Sequence, residues 1–158
     1  PSAEGAVQKA MEMTDITIHG ADVLVLGYGR LGKCLARILK GIGANVMIEA
    51  RNNKDLTWIY ENGYKLIPLE ELDTVLHMQN IIFNTIPYLI LDKKKLEKVR
   101  KDTLIIDLAS YPGGVDFEAA KGLGITASLE LGLPSRVAPK TAAKIVYARI
   151  KELLKTWP

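Results

Sequence analysis

The stretch DVLVLGYGRLGKCLARIL, residues 22–39, decides the fold. It opens with a short, largely apolar run that a glycine stops, which is typical of a strand buried on both faces of a sheet. From Arg30 onwards the apolar residues recur every three or four positions, which predicts a helix with one buried face. A buried strand that leads directly into such a helix indicates the first unit of an α/β domain.

The same alternation continues outward from this unit to the end of the chain. The pattern predicts further strands at 45–49, 64–67, 80–86, 103–108 and 125–129, and helices at 3–13, 54–62, 68–76, 92–99, 116–123 and 138–155. The predicted fold is therefore α/β, a Rossmann-type, doubly wound sheet of six parallel strands with helices on both faces. We expect residues 1–158 to form one domain, with a leading helix and connector over 1–19 and a closing helix over 138–156.

Composition limits the class of protein. Of the 158 residues, 48% are hydrophobic and 25% are charged, which is ordinary for a globular domain and argues against disorder. The net charge of +3 is too small to indicate a nucleic-acid surface, and no apolar run approaches the ~20 residues of a membrane helix. The single cysteine, Cys34, is predicted on the buried face of its helix, and a reducing, cytoplasmic compartment is the expectation. No metal site is predicted.

The segment GYGRLG, residues 27–32, matches the glycine pattern G-x-G-x-x-G and lies between a buried strand and a helix, as that pattern requires. The first glycine permits a tight turn, the second leaves room for a pyrophosphate, and the third lets the helix pack close to the strand. The start of the helix then offers free N–H groups to the phosphates. The cofactor-binding residues predicted in this loop are Gly27, Tyr28, Gly29, Arg30, Leu31 and Gly32. The alternative is a glycine-rich turn without a ligand.

The end of the second strand indicates which nicotinamide cofactor is bound. NAD enzymes carry an acidic residue about 20 positions into the motif to bind the ribose hydroxyls, and in this chain that position is Ala50. Arg51, followed by Asn52 and Asn53, suits a 2′-phosphate instead. Glu49 comes one position earlier, so strand alternation predicts that it points to the opposite face. We therefore predict that NADP is preferred and NAD is possible, with Glu49 as the ribose ligand in the second case.

The later strand ends should complete the groove, because ligands in such sheets bind at the carboxyl edge. Cofactor-binding residues are predicted at three of these ends: Asn84, Thr85, Ile86 and Pro87; Asp107, Ala109 and Ser110; and Leu133 and Pro134. For any one of them an ordinary loop role is the alternative. Arg136 and Lys140 lie near the last of these ends, where the cofactor or a dicarboxylate could use their charge. Neither histidine lies near a predicted strand end, so no catalytic histidine is proposed.

Several segments together resemble one family. They are ARN at 50–52, FNTIP at 83–87, IDLAS at 106–110, PGGVDFEAA at 112–120, GLP at 132–134 and VAPKTAA at 137–143. With the glycine loop and the SAEG segment at 2–5, they look like the A subunits of dipicolinate synthases. The resemblance covers essentially the whole chain, and the later segments taken together make it specific.

This resemblance implies an oxidoreductase of sporulating cells that oxidises dihydrodipicolinate, a small dicarboxylate, to dipicolinate with a nicotinamide cofactor. It implies that Gly27, Gly29, Gly32, Arg51, Asn84, Thr85 and Ser110 lie on the cofactor side, and that Lys140 and Thr141 lie on the substrate side. It also implies that the partner is a second, flavoprotein-like subunit. Because the family carries a further domain ahead of the SAEG segment, this chain is expected to be a fragment that is inactive alone. We also expect a homo-oligomer that binds neither nucleic acid nor membranes.

Two other functions are compatible with the same sheet. A D-2-hydroxy acid dehydrogenase resembles it closely, but those enzymes place an arginine shortly after the fifth strand and use a histidine as proton carrier. After Asp107 this chain reads LASYPGG, and its last half holds no histidine, which argues against that function. A nucleotide-sensing module without enzymatic activity is the third possibility, although such modules lack a closing helix like that at 138–155.

Overall fold

Six parallel strands form one sheet in the computed structural model, which describes residues 1–155 apart from the side chains of Asn53 and Lys54. The strands are β1 (Asp22–Leu26), β2 (Asn45–Glu49), β3 (Lys65–Ile67), β4 (Ile81–Asn84), β5 (Leu104–Asp107) and β6 (Thr126–Leu129). Their order across the sheet is β3-β2-β1-β4-β5-β6, and every neighbouring pair is parallel. The predicted doubly wound sheet is confirmed.

Helices cover both faces of this sheet. The described residues form α1 (Ser2–Met13), α2 (Arg30–Ile42), α3 (Asn53–Glu61), α4 (Lys93–Leu96), α5 (Phe117–Leu123), α6 (Leu133–Val137) and α7 (Pro139–Lys155). Successive residues of β1 alternate between two buried clusters: Val23 and Val25 pack with α1 and α2, whereas Leu24 and Leu26 pack with α5 and the segment before β4. This alternation is that of a strand buried on both faces, as the apolar runs predicted.

Two predicted helices differ in the structure. The α-helix expected at 68–76 is instead a pair of short 3-10 helices, Leu69–Thr74 and Leu76–Met78. The apolar residues Leu69, Leu72 and Val75 recur every three positions, which suits the three residues per turn of a 3-10 helix. The helix expected at 92–99 keeps only its first turn, α4, after which the N–H groups of residues 98 and 99 bond three residues back.

The predicted closing helix begins one residue late and is preceded by an unpredicted short helix, α6. Ala138 separates α6 from α7 with φ −143° and ψ 58°, because the residue before a proline is disfavoured in helical conformation. Residue 156, the predicted end of the closing helix, lies outside the described residues. α7 buries none of its residues and exposes the large apolar side chains Ile145, Val146, Tyr147, Ile150, Leu153 and Leu154. In the described part of the chain, no helix is long and apolar enough to span a membrane.

Cys34 was expected on the buried face of its helix, and that expectation is wrong. Its side chain is exposed, whereas Leu35 and Leu39 on the same helix are fully buried. The buried face of α2 is therefore rotated toward Leu35, Ala36 and Leu39, so that Cys34 lies at the margin of the apolar stripe.

Candidate cofactor site

The glycine loop connects β1 to α2 at the carboxyl edge of the sheet. Gly27 has a φ of +90°, and a Cβ atom there would lie 2.6 Å from Thr85 Oγ1. A Cβ atom on Gly32 would clash with the carbonyl oxygen of Gly27. Gly29 differs, because a Cβ atom there would meet no heavy atom within 4 Å. Packing therefore explains the first and third glycines, whereas the space beside the second is open to a ligand.

The start of α2 is free to meet an anion. Gly29 is the N-cap residue, no side chain caps the helix, and no acidic residue lies in its first turn. Arg30, the first residue of the helix, is exposed beside the loop. The first N–H groups of α2 and the positive end of its dipole are therefore directed at the space beside Gly29.

A groove of about 340 Å³ runs from this loop along the sheet edge. The predicted residues that line it are Gly27, Tyr28, Gly29, Arg51, Asn52, Thr85, Ile86 and Pro87. They come from the loop and from the ends of β2 and β4, which the strand order makes neighbours of β1. The structure thus brings these three parts of the predicted site together. Asn53 also belongs to the prediction, but its side chain lies outside the described residues.

Glu49 and Arg51 lie together at the end of β2. The Glu49 side chain is 1% exposed, and its Oε1 atom lies 3.7 Å from Arg51 Nε. Burial raises the pKa of Glu49, and the positive charge of Arg51 opposes that rise. The expectation that Glu49 points away from the groove is wrong, because Glu49 lines it. Its side chain does alternate with those of Ile48 and Ala50, but as the last residue of β2 it reaches the edge where both faces open onto the groove.

Arg51 also contacts Tyr88, a residue that the sequence analysis missed. The guanidinium carbon of Arg51 lies 4.6 Å from the centre of the Tyr88 ring, and Tyr88 lines the same groove. Such a cation–π contact holds a guanidinium over an aromatic face. The available sequence signal was the position of Tyr88, directly after the predicted groove residue Pro87.

Asn84 and Asp107 are fully buried beneath the sheet edge. Asn84 Nδ2 donates to Asp107 Oδ1 at 2.8 Å, and the same carboxylate accepts from the backbone N–H groups of Ala109 and Gly114 at 3.0 Å and 2.6 Å. A Cβ atom on Gly114 would lie 2.5 Å from Asn84 Nδ2. The network fixes the loop after β5, and neither Asn84 nor Asp107 lines the groove.

A smaller cavity of about 120 Å³ lies at the end of β6, beside α6. The predicted residues that line it are Leu31, Ser110, Leu133 and Pro134. Glu130 lines it too and was missed, although it directly follows β6 and the rule applied to the other strand ends would have found it. Glu130 accepts from Arg136 Nη1 and from Ser128 Oγ, both at 2.8 Å. Lys140 and Thr141 are exposed at the start of α7 and line neither cavity.

The strand order, the glycine loop and the groove at its carboxyl edge define a dinucleotide-binding domain of the Rossmann class. A family model of the NAD binding domain of D-isomer specific 2-hydroxyacid dehydrogenases matches residues 2–112. The chain belongs to this family. Among the described residues, no cluster of three or more His, Cys, Asp or Glu side chains could hold a metal ion.

Within that class the chain is a homologue of the A subunits of dipicolinate synthases. It is 44% identical to the one from Bacillus subtilis strain 168 over 154 residues, which make up 98% of this chain and 52% of the relative. The crystal structure of the Bacillus halodurans protein has 42% identity and a TM-score of 0.96, covering 100% of this chain and 54% of that one. The Bacillus subtilis crystal structure also has a TM-score of 0.96. The chain spans about half the length of the relatives it matches.

Proposed function

We propose that this chain is the NAD(P)-binding part of an oxidoreductase that oxidises dihydrodipicolinate to dipicolinate. The observation that carries the proposal is the open space beside Gly29, at the start of an uncapped helix, in a chain 44% identical to a dipicolinate synthase subunit. Because the chain spans about half of that relative, we assign to it the binding of the cofactor and one side of the substrate site. The bound cofactor would accept the hydride.

Each part of the groove has a task in this proposal. The first N–H groups of α2 and the guanidinium of Arg30 bind the pyrophosphate. Ser110, Leu133 and Pro134, around the smaller cavity, flank the nicotinamide and keep water from it. Asn84 and Asp107 hold the loop that carries Ser110. The chain therefore orients the ring for transfer, which is the main task of a protein when the cofactor supplies the chemistry.

The same proposal assigns the cofactor preference to NADP. Ala50 occupies the position of the acidic ribose ligand, and Arg51 can pair with a 2′-phosphate through a charge-assisted contact. Glu49 is the residue that would repel that phosphate. Burial raises the pKa of Glu49, which favours its neutral form and weakens the repulsion.

The substrate side of the site is assigned to basic and polar residues after β6. Arg136 is held by Glu130 at the smaller cavity and offers its remaining donors to a carboxylate of the substrate. Lys140 and Thr141 follow on α7 as further candidates. A flavoprotein-like second subunit, a homo-oligomeric state and a location in the cytoplasm of a sporulating cell belong to the same proposal, on the strength of the relative's name.

Calorimetric titration of the purified chain with NADP and NAD tests cofactor binding. We expect binding of both, and absence of binding to a folded chain would contradict the proposal. The reaction is tested by adding the chain to a polypeptide equivalent to the other half of the Bacillus subtilis relative, with dihydrodipicolinate and NADP. Formation of reduced cofactor only when dihydrodipicolinate is present supports the enzyme, whereas binding without reduction in the complete system supports a nucleotide sensor.

A further inference from the structure

A third cavity, of about 320 Å³, opens between α2 and α3 on the side of the domain away from the sheet edge. We call it the aromatic cavity and define it by six of its residues: Tyr28, Lys33, Arg37, Trp58, Asn62 and Tyr64. Of these, Tyr28 is shared with the cofactor groove. Its volume lies at the lower end of the range for small-molecule sites, roughly 300–1,000 Å³.

Aromatic rings form the walls of this cavity. Tyr28 and Tyr64 are 8% and 9% exposed, and their rings meet edge to face with the centroids 6.3 Å apart. Trp58 offers a third ring and is 60% exposed. Neither phenol hydroxyl forms a hydrogen bond with any residue that the structure describes. Burial raises the pKa of both phenols, so both remain protonated hydrogen-bond donors without a protein partner.

The charge of the cavity is positive. Lys33 Nζ lies 5.2 Å from the centre of the Tyr28 ring and pairs with Asp55 at 2.7 Å. Arg37 is exposed, lies close enough to Tyr64 to act on its pKa, and makes no hydrogen bond or ion pair within the described part of the chain. None of the described carboxylates lines the cavity. It thus combines an unpaired guanidinium, two unpaired phenol donors and three aromatic faces.

We propose that the aromatic cavity is a binding site, separate from the cofactor groove, for a small planar aromatic carboxylate. The ligand ring stacks against the aromatic walls, where such contacts add to the burial of apolar surface. Its carboxylate pairs with the guanidinium of Arg37, whose planar donors match a carboxylate. An aliphatic acid of similar charge would gain the ion pair but not the stacking.

Dipicolinate is the probe, because it is a planar aromatic dicarboxylate, and glutarate is the matched aliphatic control. Calorimetric titration in buffer without divalent cations should show dipicolinate binding, with glutarate at least about tenfold weaker. Arg37→Ala should weaken dipicolinate by about tenfold to a hundredfold, the usual effect of removing a hydrogen bond to a charged group. Arg149→Ala removes the same charge from α7, outside the cavity, and should change nothing.

A second pair of variants tests the stacking. Trp58→Ala should weaken dipicolinate binding, whereas Tyr60→Ala, which removes an 85% exposed ring from the same helix outside the cavity, should leave it unchanged. Both residues are largely exposed, so neither variant should unfold the domain.

The thiol of Cys34 locates the ligand. Cys34 is the single cysteine, it is exposed, and it lines the aromatic cavity. Dipicolinate should slow the alkylation of Cys34 by iodoacetamide in the unaltered chain but not in Arg37→Ala, and saturating NADP should not displace it. Absence of binding, equal affinity for glutarate, an unaffected Arg37→Ala or displacement by NADP would each overturn the proposal. Nucleotide titration remains the separate test of the cofactor groove, so the two proposals can fail independently.

Discussion

Arg51 lies between two partners in the ligand-free protein, the Glu49 carboxylate and the Tyr88 ring. A 2′-phosphate would take over its charge, because a fully ionised group within hydrogen-bond distance attracts it more strongly than a buried acid whose pKa is raised. Arg51→Ala should therefore weaken NADP by about tenfold to a hundredfold and leave NAD nearly unchanged. Calorimetric titration of both cofactors measures this.

Arg100→Ala is the control for this prediction, since it removes an equal charge from an exposed pair with Asp102. Neither affinity should change in that variant. The assignment of NADP fails if the unaltered chain prefers NAD and if that preference disappears in Glu49→Ala, because Glu49 would then be the ribose ligand.

Glu49 should also make stability depend on pH. Burial raises its pKa in the folded protein, so the folded state retains a proton at pH values where the unfolded chain has lost it. Under that condition the free energy of unfolding falls as pH rises from the usual glutamate value through the raised pKa. Glu49→Gln should remove this part of the decline. Urea unfolding at several pH values above about 4 would show the variant gaining stability relative to the unaltered chain as pH rises.

Glu61→Gln, at an exposed position on α3, serves as the comparison for that pH series. Its stability should run parallel to that of the unaltered chain. Parallel curves for Glu49→Gln as well would mean that Glu49 titrates alike in the folded and unfolded states.

At the scale of elements, the turn from β1 into α2 separates the roles of its glycines. Gly29 has ordinary backbone angles and open space around it, so Gly29→Val should fold. The added side chain would fill the space of the pyrophosphate, and binding of both cofactors should be lost. Calorimetry and thermal unfolding of the free variant measure the two effects. Retained affinity in a folded Gly29→Val chain would show that the loop is only a turn.

Two other glycines of α2 give the matching controls. Gly41→Val also places a side chain in open space but at the far end of the helix, and it should bind cofactor normally. Gly32→Ala should instead destabilise the fold by about 1–3 kcal/mol or more, because its methyl group clashes with the Gly27 backbone.

Regular elements were predictable from sequence because their periodicity is read over many residues, and the β1–α2 unit is the clearest case. The exceptions arise where one residue decides. Ala138 interrupts the last helix because Pro139 follows it, and Glu49 reaches the groove because strand alternation no longer separates two faces at a strand end. The burial of Asn84 and Asp107 depends on Gly114, which approaches from a loop seven residues after β5 and left no periodic signal.

At the scale of the whole molecule, two observations concern the same boundary. The chain spans about half the length of its relatives, and the smaller cavity at the end of β6 is open at the edge where α6 and α7 begin. A substrate that met the nicotinamide there would touch Arg136 and Glu130 on one side. The other side of the substrate would have to be covered by residues beyond those the structure describes.

The chain alone should therefore bind a nicotinamide cofactor without turning over. A ligand that binds only the folded state stabilises it by about 2.7 kcal/mol at a hundredfold excess over Kd, which corresponds to a rise in Tm of about 5–10 °C for a domain of this size. Thermal unfolding with and without NADP measures that rise, and Gly29→Val should abolish it. With dihydrodipicolinate and NADP the chain should form no reduced cofactor, because nothing excludes water from the ring or fixes the substrate against it. Substantial turnover by residues 1–158 would contradict the division of the site and would require every catalytic group to lie within this chain.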